Sequence, residues 1–381
     1  MFKKMDKTLL ITSMLLFIIG LIMILSASNV TSVIKYQKSI THFFFRQAGI
    51  LLFGSLIAYF IVRFKTSSLA HLSVVILLGM LGCLIFLYLY GSITNQSKSW
   101  IYIAGAQFQP SEFAKVCIIP YLAYVFQDGK KKVSLFISIA MVGLDLVLIT
   151  LQPDFGTALI FAGVALSIYL AMPVGRKVRT ITTSSLIFLI LVGILIVSSN
   201  TFREAFPRQY ARFDYTEPCS SEKILDSGGQ VCNSIIAFNN GGLLGKGLGN
   251  STQKYLYLPE AYTDFIFAII VEEIGLVGGL IILFLILIVL WRIYVIGRKS
   301  KTNEGKLICV GVFVYILLHL FINVGGVTGL IPLTGVPFPF MSYGGSYALC
   351  LIAAIAFVER VAVENYQAKA TKEKIKKLRN A

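Results

Sequence analysis

Apolar residues fall into ten long blocks, at about 9–28, 47–64, 71–90, 111–127, 133–151, 155–172, 180–198, 264–291, 307–325 and 343–362. Each is close to the roughly 20 residues a helix needs to cross the hydrocarbon layer. The pattern predicts an all-α polytopic membrane protein of about ten transmembrane helices, a single integral membrane domain over residues 1–381. The first block follows Lys3, Lys4 and Lys7 and ends in Ser26-Ala27-Ser28, like a signal peptide. With nine further blocks behind it, it is expected to stay as the first helix. The chain shows no internal repeat and no low-complexity segment. Its longest polar interval, about 199–263, lies between the seventh and eighth blocks.

Composition agrees: 56% of the 381 residues are hydrophobic and 14% are charged, far below the quarter expected of a soluble domain. The net charge of +16 would suggest nucleic acid in a soluble protein. Here the charge sits in short connections, so it reports topology and no nucleic-acid partner is expected. Most basic residues fall on one side: Lys3/Lys4/Lys7, Arg63/Lys65, Lys130–Lys132, Arg176/Lys177/Arg179, the Arg292–Lys306 group, and a tail over about 364–381. That bias puts both termini in the cytoplasm and the 199–263 loop outside it. The connections 91–110, 152–154 and 326–342 then share the outer side, where the unusual polar residues collect.

Four stretches there could carry chemistry. Gln109-Pro110-Ser111-Glu112 reads as a helix start with Ser111 as cap. Glu112 and Lys115 are spaced to pair on one face. They are either a buried lock or a functional pair in which Glu112 keeps Lys115 charged before a phosphate. In Gln152-Pro153-Asp154-Phe155-Gly156, Asp154 either caps the next helix or faces a site. Asp145 and His319 are isolated within spans, where interhelical hydrogen bonds are favoured over a proton relay. The third stretch, Asn239–Asp264, is glycine-rich and ends on a carboxylate at the start of an apolar block. Its glycines lack Walker spacing and would let a mobile loop approach an anion. The QVCNSIIAFNNGG stretch before it looks amphipathic and is expected to lie along the membrane surface. Glu272 and Glu273, two turns beyond Asp264, require partners. A Cys219–Cys232 disulfide is feasible in an oxidising compartment. No Cys/His cluster implies a metal. In the fourth stretch, Gly329–Leu349, Pro332, Pro337 and Pro339 forbid a regular helix and predict a re-entrant loop. It ends in Ser342-Tyr343-Gly344-Gly345-Ser346 at the head of the last helix, where backbone amides could bind phosphate.

Four segments, SWIYIAGAQFQPSEFAK, QPDFGTALI, NNGGLLGKGLGNSTQKYLYLPEAYTDFIFAIIVEEIGL and TGLIPLTGVPFPFMSYGGS, together resemble the SEDS family (shape, elongation, division and sporulation). They fall in the family's order across residues 97–347. The loop around Cys219–Cys232 leans towards the division-type branch. Where the family usually has Arg-Arg-Trp or Arg-Ser-Trp, this chain has Lys98-Ser99-Trp100, which keeps charge but loses a bidentate fork. The resemblance implies a multi-pass protein of the bacterial cytoplasmic membrane. It implies polymerisation of lipid II into glycan strands at the outer face, with a class B penicillin-binding protein and other divisome or elongation proteins. It gives the catalytic role to Asp264.

Chemically, that role is a base removing the proton of an acceptor hydroxyl. Cations should hold the lipid-linked pyrophosphate: Lys115, with Lys98, Arg208, Arg212 and Lys254 as further candidates. Asp154, Ser342, Gly344, Gly345 and Ser346 are expected to line the substrate site. No ligand set demands a cofactor; a divalent cation at the pyrophosphate is left open. The alternatives are a lipid II flippase, disfavoured by polar chemistry on one face only, or a non-catalytic scaffold for the penicillin-binding protein.

Overall fold

The computed structural model describes residues 4–90, 99–103, 106–127, 132–152, 154–173, 175–199, 204, 217–220 and 228–379. Ten helices coincide with the ten apolar blocks: α1 (Lys7–Ile34), α2 (His42–Arg63), α3 (Thr66–Tyr90), α4 (Pro110–Phe126), α5 (Lys132–Leu151), α6 (Phe155–Ala171), α7 (Arg176–Val197), α9 (Ile266–Lys299), α10 (Asn303–Val327) and α11 (Gly345–Arg379). One more, α8 (Gly229–Gly241), comes from the long polar interval. A small antiparallel pair, β1 (Ile101–Ile103) and β2 (Ala106–Phe108), sets Ile101 opposite Phe108 ahead of α4. Among the described residues α1, α2, α3, α9, α10 and α11 are each long and apolar enough to cross a bilayer. The fold is a polytopic all-α membrane bundle.

Helix α10 packs on α4, α6, α9 and α11, while α3 lies on α4, α2 on α11 and α1 on α9. The sequence explains the layering. Beyond Ser111, Glu112 and Lys115 in its first turns, helix α4 is apolar all round, and it is buried over nearly its full length, as a bundle centre requires. Helices α2 and α3 leave Leu52, Phe53, Phe60, Leu72, Val75 and Leu78 exposed, which is a lipid-facing pattern. Helix α4 begins at Pro110 with Gln109 as N-cap. Ser111 therefore lies inside the helix and is not the cap the sequence suggested. Proline suits this first position because its missing N–H has no helical partner there.

The glycine-rich segment departs most from expectation. Helix α8 does not lie along the surface. It descends beside α9: Ser234 Oγ donates to Val327 O at the end of α10 (2.7 Å), and its last residue, Gly241, abuts the Val271 carbonyl. The chain then turns at a break in α9, where Gly275 adopts φ 76° and ψ 173°. By helical rise the break lies about 13 Å inward from the start of α9. It frees backbone groups that hydrocarbon cannot satisfy. The glycine run supplies their partners: the amides of Lys246 and Gly247 donate to the carbonyls of Glu272 (3.0 Å) and Glu273 (2.9 Å), and Leu276 and Val277 donate to the carbonyls of Gly242 (2.9 Å) and Leu243 (3.2 Å). Gly245 and Gly275 face each other's backbones so closely that a Cβ on either would strike main-chain atoms.

The side chains complete the stitch. The Glu272 carboxylate accepts from Ser251 Oγ (2.5 Å), Thr252 Oγ1 (2.7 Å), the Thr252 and Gln253 amides (both 3.2 Å) and Asn240 Nδ2 (3.1 Å). Glu273 accepts from Lys254 Nζ (2.9 Å) and from Ser26 Oγ of α1 (2.7 Å). Both glutamates thus find the partners their burial demands. The glycine run is a fixed re-entrant hairpin, not a mobile anion-binding loop. Cys219 and Cys232 are joined by a disulfide, Cα atoms 5.0 Å apart, which ties residue 219 to α8.

Candidate functional site

Asp264 lies in a turn two residues ahead of α9, just before the N-cap Phe265 and outside the first helical turn. Three successive carbonyls of that turn are fastened to other parts of the chain. Tyr262 O accepts from the Tyr343 amide (2.9 Å), Thr263 O from Ser342 Oγ (2.7 Å), and Asp264 O from Asn323 Nδ2 of α10 (2.7 Å). Ser342 and Tyr343 belong to the segment between α10 and α11, which is re-entrant as its prolines predict. Phe338 of that segment is fully buried and stacks on Phe267 of α9 (4.9 Å between centroids). Phe340 reaches Phe17, near the midpoint of α1 (5.0 Å). The segment borders the acid at Gly335, which has φ 72° and where a Cβ would stand 3.2 Å from Asp264 Oδ2.

The segment also borders α6, since a Cβ on Gly156 would collide with Thr334 and Val336. Asp154 accepts the Thr157 amide (3.2 Å) as the N-cap of α6, and Gln109 Nε2 donates to its other oxygen (2.8 Å). The cap reading therefore holds, and Asp154 is committed to framework contacts. Ser346 Oγ accepts from the Gln109 amide (3.0 Å), Ser342 Oγ also accepts from the Phe338 amide (2.7 Å), and the Gly344 amide donates to Gln47 Oε1 of α2 (3.3 Å). Ser342 and Ser346 are buried. The Ser342–Ser346 turn is accordingly an internal clasp more than an open anion cradle. Gly344 and Gly345 are half-buried, and Gly345 starts α11.

The expected cations are placed differently from one another. Lys115 does pair with Glu112 (2.7 Å), but it has no exposed surface, and His319 Nε2 of α10 lies 3.4 Å from its ammonium. His319 Nδ1 lies 2.7 Å from the Tyr315 carbonyl, which calls for a proton on that nitrogen and leaves Nε2 as the acceptor. His319 therefore makes the interhelical hydrogen bond favoured for it. Lys115 stands behind the site, not on its surface. Lys254 is fully buried against Glu273 and belongs to the α9 stitch, so it is no pyrophosphate ligand in this arrangement. Lys98, Arg208 and Arg212 lie outside the described residues. Asp145 is buried within α5, and among the described residues neither of its carboxylate oxygens has a hydrogen-bond partner, contrary to the satisfied contact anticipated for it.

Sequence reasoning passed over several contributors. Asn323 is one, and the start of α2 is another. Phe43 contacts Tyr262 (4.7 Å), Tyr343 (5.0 Å) and Tyr36 (5.4 Å), making an aromatic cluster beside the acid-bearing turn. Arg46 is exposed there and close enough to Tyr343 to act on it electrostatically. Burial pushes the Tyr262 phenol far above its ordinary range, with a hydrogen bond to Tyr36 and the charge of Glu260 adding to it. Burial raises the Tyr343 phenol as well. Neither phenol ionises near neutral pH. Among the described residues no group of His, Cys, Asp and Glu has the arrangement of a metal site. The one signal that could have found the α2 residues is His42-Phe43-Phe44-Phe45-Arg46-Gln47, a polar and aromatic cluster at a helix start.

A membrane bundle with a half-buried carboxylate fixed between two re-entrant segments at one end defines a class: a multi-pass protein with a site at the mouth of its core. The chain belongs to the FtsW/RodA/SpoVE family of cell cycle proteins, whose sequence model matches residues 6–367. It is 35% identical over 373 residues to the probable peptidoglycan glycosyltransferase FtsW of Bacillus subtilis strain 168, covering 95% of this chain and 92% of that one. It is also 35% identical over 372 residues to the stage V sporulation protein E of the same organism, covering 93% and 96%. A solved chain described under the structural coordination of polymerization and crosslinking by a peptidoglycan synthase complex superposes with a TM-score of 0.72, at 21% identity and over 95% of this chain and 99% of that one. That likeness concerns the fold.

Proposed function

We propose that this protein is a peptidoglycan glycosyltransferase that polymerises lipid II at the outer face of the bacterial cytoplasmic membrane, with Asp264 as general base. The observation that carries the reading is the fixation of Asp264: three consecutive carbonyls of its turn are held while its carboxylate stays half-buried at the end of the bundle. A carboxylate so held can take the proton of an acceptor sugar's 4-hydroxyl as that oxygen attacks C1 of the donor. The C1–O bond to the lipid pyrophosphate breaks, the pyrophosphate leaves with the bonding electrons, and the configuration at C1 inverts. The leaving group is already stable as an anion, so no second carboxylic acid is needed, in contrast to glycoside hydrolysis.

The surroundings supply the other functions. Exposed Tyr36 and half-buried Tyr343, backed by buried Phe43 and Tyr262, offer aromatic surface for sugar rings. Exposed Arg46 offers positive charge for pyrophosphate. Lys115, buried with Glu112, contributes positive charge from behind. The outward orientation follows from the basic residues at the opposite end. A class B penicillin-binding protein is the partner assigned by this reading, with service in division or in shape maintenance. The test is to incubate the purified protein and that partner with lipid II in detergent and to separate products by size. Glycan polymer supports the reading, and scrambling of lipid II in liposomes without polymer would replace it with a flippase.

A further inference from the structure

Asn323 lies four residues beyond His319 and four before Val327 on α10, on the face turned to the acid-bearing turn. It is 4% exposed. Its Nδ2 lies 2.7 Å from Asp264 O and 2.7 Å from Val336 O. Two carbonyl oxygens can be met at that distance only by donors, so the chemistry fixes the amide orientation, with nitrogen towards both. A primary amide has two N–H groups, and here each is spent on a different segment. Neither carbonyl lies in regular structure. The first amides of α9 reach back to Phe265 and not to Asp264: Ala268 N to Phe265 O is 3.0 Å and Ile269 N to Phe265 O is 3.3 Å. Val336 stands between two prolines' reach in a segment with no helical ladder. Asn323 thus supplies from a third element what secondary structure cannot supply at either carbonyl.

The two carbonyls flank the place where the segments meet. Val336 follows Gly335, whose α-carbon faces Asp264 Oδ2. By drawing both carbonyls to one nitrogen, the side chain sets the spacing between the Asp264 turn and the strip that borders its carboxylate. We infer that Asn323 is the positioning residue of the reaction: it does not touch substrate, but it fixes where the base stands relative to the Gly335 strip. This inference rests on the assignment of Asp264 as base and adds what holds it. No residue type other than Asn or Gln carries two N–H donors on one nitrogen with no net charge, and Gln is one methylene too long for this distance. Small displacements at a base cost rate steeply, of order a hundredfold for 1 Å in well-ordered sites.

The experiment uses the full-length protein with its penicillin-binding partner and lipid II as substrate. Asn323→Leu keeps the volume and removes both donors; Asn323→Asp keeps the shape and offers at most one. The expected result is a fall in kcat of about tenfold or more for Asn323→Leu, a smaller fall for Asn323→Asp, and KM within about threefold of wild type for both. Thermal midpoints in detergent identify any variant that fails to fold, and the folded one of the two then decides. A folded Asn323→Leu or Asn323→Asp protein with wild-type kcat overturns the inference, as does a loss confined to KM. The two assignments separate cleanly. Asp264→Asn inactive with Asn323→Leu at wild-type rate removes the role of Asn323 alone, whereas an active Asp264→Asn removes the base and the inference built on it.

Discussion

Lys254 Nζ lies 2.9 Å from the Glu273 carboxylate, and neither side chain has exposed surface. The pair joins the returning arm of the glycine hairpin to the lower edge of the break in α9, and Ser26 of α1 joins it as well (2.7 Å to Glu273). Removing one partner leaves a buried charge alone, at a cost of about 3–5 kcal/mol. Lys254→Ala should therefore lower the thermal midpoint in detergent, and Glu273→Ala likewise. Lys254→Met combined with Glu273→Leu should recover most of the loss. If Lys254→Ala keeps its thermal midpoint but loses turnover, Lys254 is a substrate ligand and not a structural tie.

The break itself makes a second prediction. Gly275 combines φ 76° with direct backbone approach from Leu243 and Leu244. An alanine there meets both a disfavoured conformation and main-chain atoms, so Gly275→Ala should destabilise by more than the roughly 1 kcal/mol of the conformation alone. Gly242→Ala is the comparison, since φ there is 53° and open space surrounds its α-carbon. The thermal midpoints of the two variants, measured side by side, check the claim. Equal losses would mean that the hairpin is not docked as described.

Gly335 tests the strip beside the acid. A methyl group at this position would stand 3.2 Å from Asp264 Oδ2 on a backbone with φ 72°. Gly335→Ala should reduce kcat by about tenfold or more through displacement of the carboxylate. Binding of lipid II, followed separately, should change little.

Part of this arrangement was legible in the sequence and part was not. The ten spans were legible because a stretch long enough to cross hydrocarbon cannot be disguised. The re-entrant segment before α11 was legible because Pro332, Pro337 and Pro339 exclude a helix. Asp264 was conspicuous as a carboxylate at the head of an apolar block. The glycine run was misjudged because flexibility and close packing require the same residue. Gly245 and Gly275 are thirty positions apart, and only the fold shows that each makes room for the other. The spacing gave Lys115 its partner Glu112 but not the depth of the pair, and Lys254 looked like a phosphate ligand because sequence does not show that Glu273 has already claimed it. Asn323 was invisible for a related reason: a neutral side chain within an apolar helix has no signature until its two carbonyls are in place.

The aromatic cluster yields a prediction about products. Tyr343 is half-buried and meets Phe43 in a T-shaped contact. If the cluster holds sugar rings of the growing strand, Tyr343→Ala should shorten the glycan strands and raise KM by about tenfold, the scale of one lost stacking contact. Strand lengths resolved on a gel give the answer, with Tyr343→Phe expected to resemble wild type. Strands of normal length from Tyr343→Ala would move the sugar site elsewhere.

Three proteins compared side by side decide whether Asp264 removes a proton. Wild type, Asp264→Asn and Asp264→Ala are purified with the penicillin-binding partner, matched for thermal midpoint, and given lipid II. Asparagine keeps the shape of the side chain and its turn but cannot serve as the base, so wild type is expected to give polymer and neither variant any. Polymer from Asp264→Asn at the wild-type rate would contradict that role.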